Sequence, residues 1–458
     1  MASTVIAMTV AAGLVPLPNE PPASAARRRR PNILLVLTDD QPIRTLSVMP
    51  KTRRLFRRHG TTFPNAFVTT PLCCPSRATI LTGRYAHNHG VKTQDPQGFD
   101  PRRSFPRYLK EVGYRTALVG KYLNRWGSSP DYLPVSPPYF DRWATTRPDP
   151  DGYYDTTFNV QGSARVVEGY STRYMARMAV RFLRAFERND AKPWLLYVGV
   201  VAPHRPAIAA PGDEGARIPP WSGNPAVFED SKEDKPPFVQ DARSSFEAGA
   251  SVRALQLRSL LSVDALVGKV FARLRALGEK RRTLAVFTSD NGFSWGEHGI
   301  LHKAVPYTRS IRVPLLMRWP GHVPPGRKDR RLTANVDLAP TFLHAARATP
   351  RRLKLDGHSL LRHNWRRRHL FIEYFHGDSA PQVPTWRSVR THRTQYVRYY
   401  AASGRVTFAE FYRLRRDPWQ LHNVLYDGRR ANNPSRRFSA RLSRWIHRGK
   451  TCKGVACP

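Results

Sequence analysis

The sequence is poor in cysteine, poor in acidic residues and without long apolar runs, and each shortage excludes a class of protein. Four cysteines among 458 residues are too few for a small domain held together by several disulfides. No apolar run reaches the roughly 18 residues that a membrane-spanning helix needs. Glycine and proline follow no fixed period, which excludes a fibrous repeat. A globular chain remains, because 41% hydrophobic residues can bury a large core.

Basic residues outnumber acidic ones by 75 to 34, which gives a formal net charge of +41. Such a surplus attracts polyanions, or it reflects a base composition that favours arginine codons. The basic pairs are scattered from Arg53-Arg54 to Arg436-Arg437. No zinc-finger spacing, helix-turn-helix signal or RNP-type motif accompanies them. We therefore expect an acidic partner, and we expect neither nucleic acid nor a membrane span.

Residues 1–30 are predicted to be a targeting segment that ends in a short basic arm. Thr4 to Leu17 is mostly small and apolar, and Pro21 to Ala25 resembles a small-residue cleavage site. A basic region at the very start is missing, and the alternative is a disordered tail. Cys452 and Cys457, five positions apart, could close a small disulfide in an oxidising compartment. We predict a secreted, extracellular protein.

Short apolar runs alternate with helical patterns over the first three quarters of the chain. Four runs have the length and the boundaries of buried parallel strands, and they cover residues 33–37, 116–119, 194–201 and 283–288. Between them, apolar side chains recur at helical spacing over residues 174–186 and 252–277. This alternation predicts an α/β fold with a large, mostly parallel sheet flanked by helices.

The pattern changes near residue 350. Residues 395–400 and 406–414 alternate apolar and polar side chains, as antiparallel strands do, and residues 439–447 are helical in pattern. We therefore predict three units. They are the targeting segment and basic arm over 1–30, a main domain over 31–350, and a smaller C-terminal α+β domain with an antiparallel sheet over 351–458.

Polar side chains follow directly after all four predicted parallel strands. They are Asp39-Asp40, Lys121, His204 and Asp290-Asn291. In open α/β sheets, ligands bind outside the carboxyl ends of the strands. Each residue alone could be a turn residue, a loop residue or a helix cap. Together, three carboxylates and one carboxamide favour Ca²⁺ or Mg²⁺ rather than zinc.

The segment from Pro71 to Arg84, read as PLCCPSRATILTGR, resembles the signature of the type I sulfatases, C-x-P-S-R followed by T-G-R. Other segments match the same family, namely Gly120-Lys121, Ala202-Pro203-His204, Thr288 to Gly292 with Lys303, and Asp356 to Leu360. The resemblance extends over roughly residues 31 to 458. It implies the alkaline-phosphatase/sulfatase-like fold, with 31–350 as the catalytic sulfatase domain.

The resemblance also implies a role for each residue of the predicted site. A formylglycine-generating enzyme would oxidise Cys73 to formylglycine, whose hydrate is the nucleophile. The hydrate at residue 73 would join Asp39, Asp40, Asp290 and Asn291 around Ca²⁺, with Mg²⁺ as the alternative. Arg77 would hold the hydrate, Lys121 and Lys303 would bind sulfate oxygens, and His204 would face the bridging ester oxygen.

One departure from the family pattern indicates a branch. Many relatives carry a histidine where this chain has Leu123, and Asn124, His87 and His89 are the candidates for its role. With the segment Tyr85 to His89, this variant looks most like the N-acetylglucosamine 6-sulfatases. A sulfated sugar or polysaccharide, such as a glycosaminoglycan, would then be the substrate. The alternatives are a phosphonate or phosphodiester hydrolase of the same superfamily, and a secreted polyanion-binding protein whose site is unused.

Overall fold

The structure is a computed structural model that describes residues 30–126, 135–146, 152–189, 192–350 and 353–458. The targeting segment predicted for residues 1–30 lies outside the described residues, apart from Arg30.

The elements have the following bounds. The strands are β1 (Asn32–Thr38), β2 (Thr61–Thr62), β3 (Ala66–Phe67), β4 (Arg115–Gly120), β5 (Arg142–Thr146), β6 (Tyr154–Val160), β7 (Ser163–Tyr170), β8 (Trp194–Gly199), β9 (Thr283–Ser289), β10 (Leu315–Arg318), β11 (Thr333–Ala334), β12 (Leu370–Tyr374), β13 (Thr385–Arg390), β14 (Gln395–Tyr400) and β15 (Val406–Tyr412). The α-helices are α1 (Pro50–Thr52), α2 (Cys73–Thr82), α3 (Ala86–His89), α4 (Phe105–Glu111), α5 (Ser171–Glu187), α6 (Pro237–Gln240), α7 (Phe246–Ala276), α8 (Thr308–Ile311), α9 (Leu338–Ala345) and α10 (Arg436–Gly449).

The main sheet has nine strands in the order β2-β10-β9-β1-β8-β4-β5-β6-β7. Its five central strands, from β9 to β5, run parallel to one another. Antiparallel strands complete it at both edges. Every residue of β1, β8 and β9 is buried, as expected for strands covered on both faces. The predicted α/β class is confirmed, and the sheet is mixed because its edges are antiparallel.

Helices cover both faces of this sheet. Successive side chains of a strand point to opposite faces, and β1 divides its apolar residues accordingly. Leu35 packs on one face with residues of α2, α4 and α9. Val36 packs on the other with residues of α5 and α7. Helix α7 begins at a cap in which Ser245 accepts a hydrogen bond from the Ala248 amide.

The smaller C-terminal sheet is antiparallel and has the order β12-β13-β14-β15. Helix α10 packs against this sheet through Leu442 and Ile446, which are buried with residues of β12 and β13. A disulfide joins Cys452 to Cys457. Among the described residues, no helix combines the length and the apolar character needed to cross a membrane.

A buried carboxylate joins the two parts of the molecule. Glu410 on β15 accepts hydrogen bonds from the hydroxyls of Tyr399 and Tyr412, at 2.8 and 2.7 Å, within the C-terminal sheet region. The hydroxyl of Tyr307, which precedes α8, donates a third at 2.8 Å. Three donors compensate the cost of burying this charge, and they fix the C-terminal sheet beside the loop that carries Lys303.

Candidate active site

The polar residues predicted at the strand ends do meet at one edge of the main sheet. Their strands lie side by side in the order β9-β1-β8-β4, so that their carboxyl ends point the same way. The Asp40 amide donates to Oδ1 of Asp290 at 3.2 Å. Nδ2 of Asn291 donates to Oδ1 of Asp40 at 2.6 Å. The segments after β1 and β9 are therefore in direct contact.

Helix α2 brings the cysteine to this cluster. All ten of its residues are buried, and it ends at Gly83, whose φ of 66° is the left-handed conformation that glycine adopts readily. Cys73 is the first residue of the helix, and its Sγ lies 3.2 Å from Oδ1 of Asp39. Cys74 points elsewhere, with its Sγ 4.0 Å from the carbonyl oxygen of Asn124. Of the two cysteines, only Cys73 contacts the carboxylates.

Arg77 follows Cys73 by one helical turn and connects three strand ends. Its Nε donates to Oδ2 of Asp290 at 2.7 Å, and its Nη2 lies 3.3 Å from Oδ2 of Asp39. Its Nη1 donates to the Lys121 carbonyl at 2.8 Å. Burial acts to lower the pKa of Arg77, but Asp290 and Asp39 outweigh burial and raise it. This guanidinium is therefore a fixed buried cation.

The carboxylates next to Arg77 have different electrostatic surroundings. Burial raises the pKa of Asp290 to about 6, and the nearby charge of Asp39 adds to the rise. Burial acts in the same direction on Asp39, but Lys121 and His204 outweigh it and hold the pKa of Asp39 well below its ordinary value. These surroundings favour the ionised form of Asp39. The ionised form of Asp290 is less favoured, and the charges of Arg77 and Lys121 stabilise it.

The lysines and the histidine are the residues of this site that reach solvent. Lys121 pairs with Asp39, and Nζ of Lys303 lies 2.6 Å from Oδ1 of Asp40 and 2.9 Å from Sγ of Cys73. Their side chains are 16% and 13% exposed, and that of His204 is 34% exposed, whereas Asp39 and Arg77 are fully buried. An anion that enters the cleft therefore meets positive side chains before it meets the carboxylates.

His204 and Lys303 lie next to different oxygens of the Asp40 carboxylate. Nε2 of His204 is 3.8 Å from Oδ2 of Asp40, and Nδ1 of the same ring is 2.6 Å from the Arg205 carbonyl oxygen. Burial, together with the charge of Lys303, lowers the pKa of His204. The ring is thus oriented by the backbone, with Nε2 towards the cleft.

The donor atoms fit a hard divalent cation. Ligand atoms of Asp39, Asp40, Cys73 and Asp290 all lie within 4.8 Å of one another. Oδ1 of Asn291 is buried and has no hydrogen-bond partner among the described residues. A buried oxygen without a partner is costly, and a cation bound by these carboxylates would supply one. Oxygen-rich donor sets of this kind suit Ca²⁺ or Mg²⁺.

Two residues that support the site were not predicted from the sequence. The hydroxyl of Ser76 donates to the Asp290 carbonyl, and Nδ2 of Asn335 donates to Oγ of Ser76 at 2.8 Å. They tie helix α2 to the end of β9. Ser76 lies inside the C-x-P-S-R box, which could have indicated its role. Asn335 lies two residues before the segment Asp337 to Thr341, which matches the family pattern, but it is not itself part of that segment.

The histidines considered as substitutes at Leu123 are not brought to the site. Leu123 itself is buried in the core. His87 lies 2.8 Å from Oε1 of Glu373 through Nδ1, and Nε2 of His89 lies 3.0 Å from Oγ1 of Thr79. Through these contacts both rings bind residues outside the cluster around Cys73, and the role of the missing histidine stays unassigned.

Comparisons with known proteins agree with this geometry. The sulfatase family model matches residues 31–348, and the model for the C-terminal part of N-sulphoglucosamine sulphohydrolase matches residues 296–447. The chain is 31% identical to the N-acetylglucosamine-6-sulfatase of Capra hircus, over 88% of this chain and 81% of that protein. It is 34% identical to the extracellular sulfatase SULF-1 homologue of Drosophila melanogaster, over 74% of this chain and 32% of that protein.

A solved structure of a protein in complex with its substrate D-glucosamine-2-N,6-O-disulfate has the same fold. The two structures superpose with a TM-score of 0.78 at 24% sequence identity, which covers 92% of this chain and 97% of the other. Fold and sequence together define the class of α/β proteins to which the sulfatases belong. The chain belongs to the sulfatase family. It spans about a third of the Drosophila relative.

Proposed function

We propose that this protein hydrolyses sulfate monoesters and that its substrate is the 6-O-sulfate of N-acetylglucosamine or glucosamine in a glycosaminoglycan. The observation that carries the proposal is the position of Cys73, whose Sγ lies between Asp39 and Lys303 at 3.2 and 2.9 Å. The relative named N-acetylglucosamine-6-sulfatase and the solved complex with a 6-O-sulfated glucosamine support the choice of sugar.

The nucleophile is proposed to be formylglycine made from Cys73 by a formylglycine-generating enzyme. Burial, with the charge of Asp39, raises the pKa of the Cys73 thiol, so that the unmodified side chain is a protonated and weak nucleophile. The hydrate of the aldehyde offers one hydroxyl that attacks sulfur and a second that later expels sulfate. Nζ of Lys303 contacts residue 73 directly, at 2.9 Å from Sγ, and Arg77, one turn further along α2, is proposed to hold the hydrate.

Asp39, Asp40, Asp290 and Asn291 are proposed to hold Ca²⁺, with Mg²⁺ as the alternative. When bound, such a cation lowers the pKa of a coordinated hydroxyl and offsets the negative charge of the sulfate. The Asn291 amide then has to turn its oxygen towards the carboxylates. Its Oδ1 has no other partner among the described residues. The turn gives up the hydrogen bonds that Nδ2 donates to Oδ1 of Asp40 and to the Gly292 carbonyl, and binding of the cation has to offset that loss.

Lys121 and Lys303 are proposed to bind the sulfate, and His204 to protonate the leaving group. In the structure each lysine pairs with a carboxylate, Lys121 with Asp39 and Lys303 with Asp40. On substrate binding each ammonium can donate to a sulfate oxygen, where charge develops in the transition state. Nε2 of His204 faces the same space. In the neutral ring the proton is on Nδ1, which donates to the Arg205 carbonyl, so Nε2 donates to the ester oxygen from the protonated ring, a form that the negative charge of the bound sulfate favours.

We also propose that the protein is secreted and that its catalytic and C-terminal domains divide near residue 350. The disulfide between Cys452 and Cys457 supports an oxidising compartment. The last strand of the main sheet is β10 and the second sheet begins at Leu370, which supports the proposed division.

The test of function is sulfate release from three substrates by protein produced together with the maturation enzyme. We expect 6-sulfated N-acetylglucosamine to react faster than 4-sulfated galactosamine or 2-sulfated uronate. A preference for either of the latter would overturn the choice of sugar. A preference for a phosphonate monoester over every sulfate would replace the proposal with the phosphonate hydrolase alternative.

A further inference from the structure

A second cavity, remote from Cys73, lies in the C-terminal part of the molecule. Its volume is about 740 Å³, within the range of pockets that hold small ligands. Five segments line it, namely His358, the residues just before β12, the turn between β13 and β14, helix α10, and Cys457 with Pro458. Its basic and aromatic wall includes Arg366, Arg368, His369, Arg393, Arg441 and Trp445.

The wall of this cavity is strongly positive and contains no carboxylate side chain. Arg366, Arg368, Arg393 and Arg441 are exposed, and none of the four forms an ion pair with a carboxylate in the described part of the chain. A fifth arginine, Arg367, is buried and pairs with Asp337. The four exposed guanidinium groups are therefore available to an anion from outside.

Arg367 and the aromatic residues make this cavity a rigid one. Nη1 and Nη2 of Arg367 bind the two oxygens of Asp337 at 2.9 and 2.8 Å, which fixes the segment between Arg366 and Arg368. The rings of His369 and Trp445 stack at a centroid distance of 4.1 Å and an angle of 10°. The Arg441 guanidinium also lies 5.4 Å from the Trp445 ring centroid. The arginines thus project from a fixed frame.

Helix α10 extends the positive surface beyond the cavity. Arg437, Arg441, Arg444 and Arg448 follow one another at spacings of three or four residues, which places them along one side of the helix. All four are exposed. A ligand that enters the cavity beside Arg441 can therefore continue along the helix, which favours a polymer over a single small anion.

The cavity is well separated from the active site. Helix α2 starts at Cys73, and its ten residues span about 15 Å at 1.5 Å per residue. Beyond its far end, the hydroxyl of Tyr85 donates at 2.9 Å to the carbonyl of Pro458, which lines the cavity. A monosaccharide is therefore too small to occupy both places.

We propose that this cavity and the arginine side of α10 form a second binding site for the sulfate and carboxylate groups of a sulfated polysaccharide. Guanidinium groups match these anions in shape and donate paired hydrogen bonds to them. Single-stranded nucleic acid is less suited, because it needs aromatic faces on which bases can stack, and His369 and Arg441 already lie against Trp445. The proposal rests on the proposed function, since it assigns the second site to the same polymer that carries the 6-O-sulfate.

The test compares two variants with the same change in charge. Arg366, Arg368, Arg393 and Arg441 are replaced together by Gln in the first variant. The matched control replaces Arg177, Arg181, Arg184 and Arg188, four exposed arginines on or next to α5. All eight arginines are exposed, and Gln resembles Arg in helix propensity at the positions that are helical, so both variants are expected to keep their melting temperature.

Two readouts separate the second site from the active site. Affinity for heparin is measured in 0.1 M salt and needs no turnover, and sulfate release is measured on 6-sulfated N-acetylglucosamine. We expect the first variant to bind heparin at least about tenfold more weakly, from four contacts of modest strength each. The control is expected to lose less than about threefold. Turnover of the monosaccharide is expected to be unchanged in both.

Several results would overturn the proposal. Equal losses of heparin affinity in the two variants would mean that heparin binding depends on the total charge of the protein alone. Loss of monosaccharide turnover in the first variant would mean that the cavity serves the active site. Single-stranded DNA bound as tightly as heparin, with the same response to substitution, would refute selectivity for a polysaccharide. Absence of turnover in the wild type would contradict the proposed function. The heparin affinities of the two variants would still test the second site, because their measurement needs no turnover.

If the fourfold variant fails to fold, the single substitutions Arg393→Gln and Arg441→Gln take its place. Each is expected to weaken heparin binding about two- to threefold. Unchanged affinity in both would refute the site.

Discussion

Removal of the divalent cation is expected to lower the melting temperature by only a few degrees. The buried carboxylates of Asp39, Asp40 and Asp290 face three cations, Arg77, Lys121 and Lys303. The charges therefore balance without a metal ion, and the cation-free protein is expected to remain folded. The contribution of the cation is its binding free energy, which is about 2.7 kcal/mol when its concentration is 100 times its dissociation constant.

The expected shift follows from the size of the chain. At about 2.1 cal/mol/K per residue, unfolding 458 residues has an entropy of about 1 kcal/mol/K. A stabilisation of ~2.7 kcal/mol therefore raises the melting temperature by about 3 °C. The assay is thermal unfolding of protein shown by elemental analysis to be metal-free, with and without added Ca²⁺.

The matched variant is Asn291→Leu, which removes the unpartnered Oδ1 and keeps a side chain of similar shape. A tenfold loss of affinity would reduce the stabilisation to about 1.4 kcal/mol and halve the shift. If the metal-free wild type melts at the same temperature with and without Ca²⁺ or Mg²⁺, no cation binds among these carboxylates and the reasoning fails.

Two further predictions concern stability outside the active site. Burial lowers the pKa of His87, but its hydrogen bond to Glu373 outweighs burial and the pKa is raised above 6.5. A raised pKa in the folded state stabilises the protein below pH 6.5, and this stability is lost as pH rises through the folded pKa. Urea unfolding should therefore show a larger loss for His87→Gln at pH 5.5 than at pH 8.5, and an equal loss at both would contradict this. Tyr399→Phe removes one of the three hydroxyls that bind buried Glu410 and should cost about 1.5–3 kcal/mol of unfolding free energy. Its neighbour Tyr400, which forms no such bond, provides the control Tyr400→Phe, and equal effects of the two changes would argue against a stabilising role for the cluster.

The central part of the fold was predictable because its strands are continuous apolar runs. Residues 33–37 and 283–288 lie within β1 and β9, which are buried on both faces. The edge strands were not predicted. Strand β7 is largely exposed, and its sequence, SARVVEGY, contains no apolar run as long as those of the central strands. Its pairing with β6 gives it a strand conformation that the sequence pattern does not indicate.

The clustering of the site residues was predictable for a topological reason, since adjacent parallel strands end at one edge of a sheet. What the sequence did not predict is the support between distant segments. Asn335 reaches Ser76, and Tyr307 reaches Glu410, although neither pair shares a motif. Such contacts depend on how loops pack in three dimensions, and short polar residues in loops carry no periodic signal.

The central claim is that residue 73, as formylglycine, attacks the sulfate. The most direct measurement joins mass spectrometry of the peptide that carries Cys73 with sulfate release by the same samples. We predict that activity rises in proportion to the fraction of residue 73 converted from thiol to aldehyde, that Cys73→Ala abolishes turnover, and that Cys74→Ala keeps most of it. Full activity in protein whose Cys73 is an unmodified thiol, or loss of activity in Cys74→Ala alone, would contradict the account.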